Sequence, residues 1–241
     1  MKYLQGRKTG TMNSEPLLKE KIQQTFQLAF DRHQNGLFSE AYILYSEVLV
    51  LEPDHFDALH LSGLVAYQTD NPELAVSFIS KAIEIKADDP SLHNNLGIAL
   101  HALGKYEMAL DCYQTAQNLK PDYIEAFYNA GNASYERGDL AKAANYYESA
   151  LSIDTSYVDA HLNLGKVFYD LRKFDFAIAC FDLALSFRPN SVTGFFYRGM
   201  AFEGQGYLNM ALLDYERALI FEPDHLEAQQ KKQQIQNQSS T

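Results

Sequence analysis

Asparagine recurs at positions 95, 129 and 163, a step of 34 residues each time, and Asn94 and Asn132 stand beside that row. An asparagine side chain carries two N–H donors and one carbonyl oxygen. A row of such amides can pair with the main chain of an extended segment, whatever side chains that segment bears. This is the chemistry of recognition. The patterns of bond-making chemistry are missing: the sequence contains no G-x-x-x-x-G-K-[ST] phosphate loop, no H-E-x-x-H and no C-x-x-C. His55 and His225 share one position of the 34-residue register, and so do His93 and His161, so histidine placement follows the repeat and not a metal site. No catalytic residue, no metal ligand and no cofactor is expected.

The same step governs the elements that must hold these amides. Alanine falls at 41, 75, 109, 143, 177 and 211, glycine at 63, 97, 131, 165 and 199, and a second alanine row at 82, 116, 150, 184 and 218. Three small-residue rows in register mean one unit copied six times, over 22–55, 56–89, 90–123, 124–157, 158–191 and 192–225. Positions within each repeat are counted here from 1 to 34. Each repeat holds two helix-periodic stretches; in the third, Leu92, Leu96, Ala99, Leu100 and Leu103 form one apolar face and Met108, Cys112, Tyr113, Ala116 and Leu119 the other. Gly36, Gly104, Gly138 and Gly206 mark the turns between them, with Asp70 and Arg172 standing in for glycine in two repeats. Asp54, Asp122, Ser156 and Asp224, each followed three residues later by an acid, are expected to cap helix starts, as is Asp89 ahead of Pro90. Pro53, Pro121, Pro189 and Pro223 stop the preceding helices.

Glycine inside a helix costs about 1 kcal/mol relative to alanine. A conserved register of five implies close approach, and the expected partner is the alanine at position 20 of the second helix. Large residues at positions 24 (Tyr45 to Tyr215) and 30 (Leu51 to Phe221) are expected to fill the gaps. A mostly polar thirteenth helix near 225–237 is expected to cap the array, followed by a frayed tail.

The 241 residues are 46 % apolar and carry a formal charge of −11. Residues 1–21 hold five basic and two acidic side chains, are expected to be partly disordered, and include Met12 as an alternative start. No basic stripe appears, so neither nucleic acid nor membrane insertion is expected. Nothing near the start has the apolar stretch of a signal peptide, and no run approaches the ~18 apolar residues of a membrane span. Cys112 and Cys180 share a register position two repeats apart, on the order of 20 Å, too far for a disulfide. A reducing, cytoplasmic setting is the expectation.

The 34-residue period, L-G at 96–97 and 164–165, alanine at positions 20 and 27, an aromatic at 24 and proline at 32 resemble the tetratricopeptide repeat, over residues 22–225. Departures are Ala29 in place of the first glycine, Ala87 and Thr155 in place of proline, and His93 and His161 where that family often has tryptophan. The resemblance implies an all-α, right-handed superhelical solenoid of helix-turn-helix repeats. It implies a concave groove, lined by positions 2, 5, 6, 9, 12 and 13 of each repeat, that takes an extended peptide or partner helix. On those positions lie Asn94, Asn95, Tyr128, Asn129, Asn132, Asn163, Lys166 and Tyr197, the candidate groove residues.

The asparagine row also resembles that of O-linked N-acetylglucosamine transferases, which grip target peptides by the backbone; N-L-G as a plain consensus triplet is the competing explanation. Further aromatics share this face (Phe26, Phe30, Tyr67, Tyr135, Tyr169, Phe196), and Glu136, Asp170 and Glu203 against Lys166 favour a neutral to basic ligand. No three successive repeats supply the lysine, arginine and asparagine set with which some members clamp chaperone C-termini, so chaperone carboxylate-clamp binding is not expected. The function implied is a non-catalytic protein–protein scaffold or adaptor. A substrate-recruiting subunit for a separate enzyme such as a glycosyltransferase, and an assembly factor forming a homo-oligomer through Ile22, Phe26 and Phe30, are the alternatives.

Overall fold

The computed structural model describes residues 14–238; Met12 as an alternative start and the last three residues of the tail lie outside the described residues. Thirteen helices are present among them: α1 (Ser14–Gln34), α2 (Phe38–Leu51), α3 (Phe56–Gln68), α4 (Pro72–Ile85), α5 (Pro90–Ala102), α6 (Tyr106–Leu119), α7 (Ile124–Glu136), α8 (Leu140–Ile153), α9 (Val158–Asp170), α10 (Phe174–Phe187), α11 (Val192–Gly204), α12 (Leu208–Phe221) and α13 (Leu226–Gln238). Odd-numbered helices open a repeat and even-numbered ones close it. Ser14–Lys21, within the stretch expected to be partly disordered, form the first turns of α1.

The residues divide into two compact bodies at Gly104 and Lys105. In the N-terminal body α1 to α5 pack each on the next, and in the C-terminal body α6 to α13 do the same. With helices alone among the described residues, this is an all-α repeat solenoid.

The turns behave as their residue types require. Gly36, Gly104, Gly138 and Gly206 have φ between 68° and 86°, and Asp70 and Arg172 adopt the same left-handed conformation at 59° and 60°. The helix starts differ from expectation. Ahead of each start the chain doubles back, as where the His55 N–H donates to the Glu52 carbonyl and the Tyr157 N–H to the Asp154 carbonyl, so helical geometry begins one residue later than Asp54, Asp122, Ser156 and Asp224 would allow. The imidazoles of His55 and His225 cap instead, each Nδ1 accepting from a backbone N–H three residues on at 3.2 Å. Tyr123 and Tyr157 at the equivalent points give no side-chain cap. Asp89 caps as expected, accepting from the Ser91 N–H.

The seam between paired helices also differs from the expected glycine-on-alanine contact. A Cβ placed on Gly131 or Gly165 would meet the ring of Tyr147 or Phe181 at 2.5 Å. On Gly63 it would meet Ile79 at 2.5 Å, with the Ala75 carbonyl at 3.4 Å. The residue at position 24 therefore lies on the glycine, and the alanine contributes closeness of backbone. All six residues at position 24 are buried. Position 30 packs against the core only in the first repeat, through the half-buried Leu51; Ile85, Leu119, Ile153, Phe187 and Phe221 are exposed, and the two phenylalanines stack on His161 and Phe195. Ile22 is buried, and Phe26, half-buried, packs against the same cluster and stacks on His55.

Candidate peptide-binding groove

One turn of helix separates Tyr128 from Asn132 on α7, and four residues apart on a helix share a face. Asn163 on the neighbouring α9 reaches both. Its Nδ2 donates to the Tyr128 hydroxyl oxygen and to Asn132 Oδ1, each at 3.0 Å. Behind them the Tyr147 hydroxyl of α8 donates to the same Oδ1 at 2.7 Å. Burial pushes the phenols of Tyr128 and Tyr147 above their ordinary value, which keeps both protonated.

These side chains line a cleft of about 200 Å³ together with Tyr135, Glu136 and Lys166. One helical turn beyond Asn163, the Lys166 ammonium sits 4.8 Å from the centre of the Tyr197 ring of α11, a cation–π arrangement. Burial lowers the Lys166 pKa from its ordinary value. Tyr135 donates to Asp170 Oδ2 at 2.6 Å, which fixes one of the acids expected to face a ligand. Glu203, another, accepts from Tyr215 at 2.7 Å and from Lys231 at 3.0 Å.

The structure thus brings together Tyr128, Asn132, Asn163, Lys166 and Tyr197. Asn129 is partly buried on α7 outside the lining of this cleft. Asn94 and Asn95 belong to the N-terminal body, where Asn94 is buried. Asn95 Nδ2 lies 3.1 Å from Nε2 of His60, and burial lowers the His60 pKa, favouring the neutral ring that can accept this bond.

Two features escaped the sequence reading. Tyr147 counts there as a seam residue; the signal was a hydroxyl at a position where Phe181 has none. Arg198 and Asp214 pair with Nε–Oδ2 at 2.7 Å and Nη2–Oδ1 at 2.8 Å, with Asp182 as a second acceptor. Their signal was charge at positions 7 and 23, where the fifth repeat has Leu164 and Cys180. Among the described residues no cluster of three His, Cys, Asp or Glu side chains is placed to hold a metal, and no helix is long and apolar enough to cross a membrane.

Tetratricopeptide-repeat family models match residues 56–89, 90–123 and 158–191, and a further model of the same repeat matches 131–172, together more than half of the chain. The chain belongs to the tetratricopeptide repeat family. No curated protein matches the sequence. Solved tetratricopeptide-type structures resemble it closely in fold at low identity. PilW, described as a type IV pilus biogenesis factor, has a TM-score of 0.76 at 17 % identity, covering 87 % of this chain and 97 % of that one. The pilF product of Pseudomonas aeruginosa has a TM-score of 0.73 at 21 % identity, covering 92 % and 99 %. YrrB, described as a tetratricopeptide protein with an unusual peptide-binding site, has a TM-score of 0.64 at 17 % identity, covering 78 % and 97 %. At these identities the likeness establishes the fold.

Proposed function

We propose that the chain is a non-catalytic interaction scaffold whose C-terminal body binds an extended protein segment across α7, α9 and α11. The observation that carries this reading is the amide pair at Asn132 and Asn163. Asn163 uses both of its N–H donors on Tyr128 and Asn132, so its carbonyl oxygen is what it offers a ligand. Asn132 accepts twice on its oxygen and also hydrogen-bonds Tyr128, so what it offers a ligand is the remaining N–H of its amino group. One acceptor and one donor, held in place by two tyrosines, match the N–H and C=O of a peptide main chain. Lys166 and Glu136 both line the cleft, and the Asp170 carboxylate also acts on the Lys166 charge, which suits a segment neutral to basic overall.

Affinity capture with the parent chain and with an Asn132→Ala/Asn163→Ala variant, read by mass spectrometry, tests the reading. Partners held by the parent and released by a variant of unchanged helicity support it. An unchanged set of partners assigns binding to another surface.

A further inference from the structure

The 34-residue register does not stop at the sixth repeat. His225 caps α13 as His55 caps α3, each Nδ1 accepting from the N–H three residues on. Counted onward, Ala228 occupies position 3 and Ile235 position 10, and both are buried, as Ala58 and Val65 are on α3. In packing, α13 is therefore a seventh opening helix as well as an end cap. Its positions 2, 5, 6 and 9 are Glu227, Gln230, Lys231 and Gln234. All four face α11, where with Phe196, Tyr197 and Met200 they line a cleft of about 300 Å³. It is the register equivalent, two repeats on, of the cleft at Asn132 and Asn163.

The two clefts adjoin through one contact, because Lys166 lines the first and rests on the ring of Tyr197, which lines the second. They differ in chemistry. Where the first has Asn132 at position 9, the second has Met200, and Phe196 lies beside it as an almost fully buried floor. Ion pairing of Lys231 with Glu203 ties the α13 wall to α11. The exposed amides of Gln230 and Gln234 stand at the rim.

We propose that the cleft between α11 and α13 is the apolar subsite of the groove, receiving one large apolar side chain of the bound segment. This rests on the reading that the segment's main chain is held at Asn132 and Asn163. A volume near the small end of ligand pockets suits a single side chain on an extended chain, and rim glutamines can hold the adjoining peptide groups. Neighbouring helices lie roughly 8–10 Å apart, so the two clefts are on the order of 20 Å apart, which is about six residues of extended chain. The ligand class is thus a segment with a leucine, methionine or phenylalanine about six residues from the stretch read by the asparagines.

A phage-displayed library of random 12-residue peptides, panned on the full chain, tests this. Enriched peptides carry a large apolar residue, and their fluorescein-labelled synthetic forms lose at least tenfold in affinity when that residue becomes alanine. Met200→Glu causes a similar loss, and so does Gln234→Trp, an exposed position where folding is not at stake and the ring covers the cleft mouth. Met210→Glu, on the exposed face of α12, leaves affinity unchanged. Peptides that need Asn132 and Asn163 but ignore both cleft variants overturn the subsite and spare the groove. Failure to enrich any peptide overturns both. A dimeric mass by light scattering that Gln234→Trp reduces to a monomer assigns the cleft to a second copy of the chain and overturns the subsite.

Discussion

The hydroxyl of Tyr147 donates to Asn132 Oδ1 at 2.7 Å while the ring of the same residue lies against Gly131. One side chain therefore closes the seam between α7 and α8 and holds a candidate groove amide from behind. Seam packing and the position of that amide are coupled at this point.

Gly131→Val should show that coupling. A Cβ there would come within 2.5 Å of a ring that is fully buried, so the ring must move. Overpacking of this kind costs roughly 1–3 kcal/mol, and valine brings little helix propensity in return. Urea unfolding should show the loss, and the variant's affinity for segments bound by the parent should fall because Tyr147 carries Asn132 with it. A variant as stable as the parent means the ring can yield.

Arg198 and Asp214 form a buried pair, with side chains 14 % and 3 % exposed. Arg198→Met leaves the Asp214 carboxylate without its main partner, and breaking such a pair costs about 3–5 kcal/mol. Arg198→Leu combined with Asp214→Cys reproduces the Leu164 and Cys180 arrangement of the preceding repeat and should recover most of that loss. Thermal melts of the three proteins check both statements; equal melting of the parent and Arg198→Met would show that the pair contributes nothing.

Arg172 closes the α9–α10 turn at φ 60°, a conformation four other turns give to glycine. The left-handed region costs a non-glycine residue roughly 1–2 kcal/mol, against about 0.5–1 kcal/mol of extra chain entropy that glycine loses on folding. Arg172→Gly should therefore raise stability by about 0.5–1 kcal/mol, less whatever the Arg172 contact with the Phe174 ring contributes. A lower melting temperature would show that this contact dominates.

Alkaline pH should weaken the fold. Burial raises the Cys112 thiol from 9.0 to about 11 and the Cys180 thiol to about 12, and it raises the Tyr45 and Tyr157 phenols from 10.0 to about 12. The unfolded chain releases these protons first, so their contribution is complete below pH 9 and declines from there towards the folded values. Lys166 works in the opposite direction, because burial lowers its pKa, but it stands against several groups of the other sign. Urea midpoints should fall between pH 9 and 11, and Cys112→Ala/Cys180→Ala should flatten the first part of that fall. A midpoint that does not change with pH over this range would refute the assignment.

Register and element type were legible without coordinates, because a 34-residue recurrence of alanine and glycine admits only one repeated unit. Helices α2 to α12, the glycine turns and the breaks before Pro53, Pro121, Pro189 and Pro223 lie where the residue pattern places them. Contacts across the helix pair were not legible. Gly131 and Ala143 recur in the same step, so periodicity alone cannot say which of Ala143 or Tyr147 lies on the glycine. The helix starts slipped by one residue for a related reason: an aspartate or serine beside a helix start signals a cap, but the chain reversal just ahead of it decides which residue has helical geometry.

By itself, then, the amino-acid sequence determined a 34-residue helical repeat and the candidate positions for a binding face. Tertiary structure decided which of those positions act together. Asn132 and Asn163 lie 31 residues apart and meet because α7 and α9 are neighbours, whereas Asn94, beside the row, is buried and Asn129, within it, stands outside the lining of the cleft. It also decided that α13, read as a polar cap, forms a wall of the cleft with Phe196 and Met200. The physical reason is that a repeat in sequence sets the rotation of each helix about its own axis, but hydrogen bonds and clefts depend on the side chains of the next helix, and only the packed chain brings those within about 3 Å.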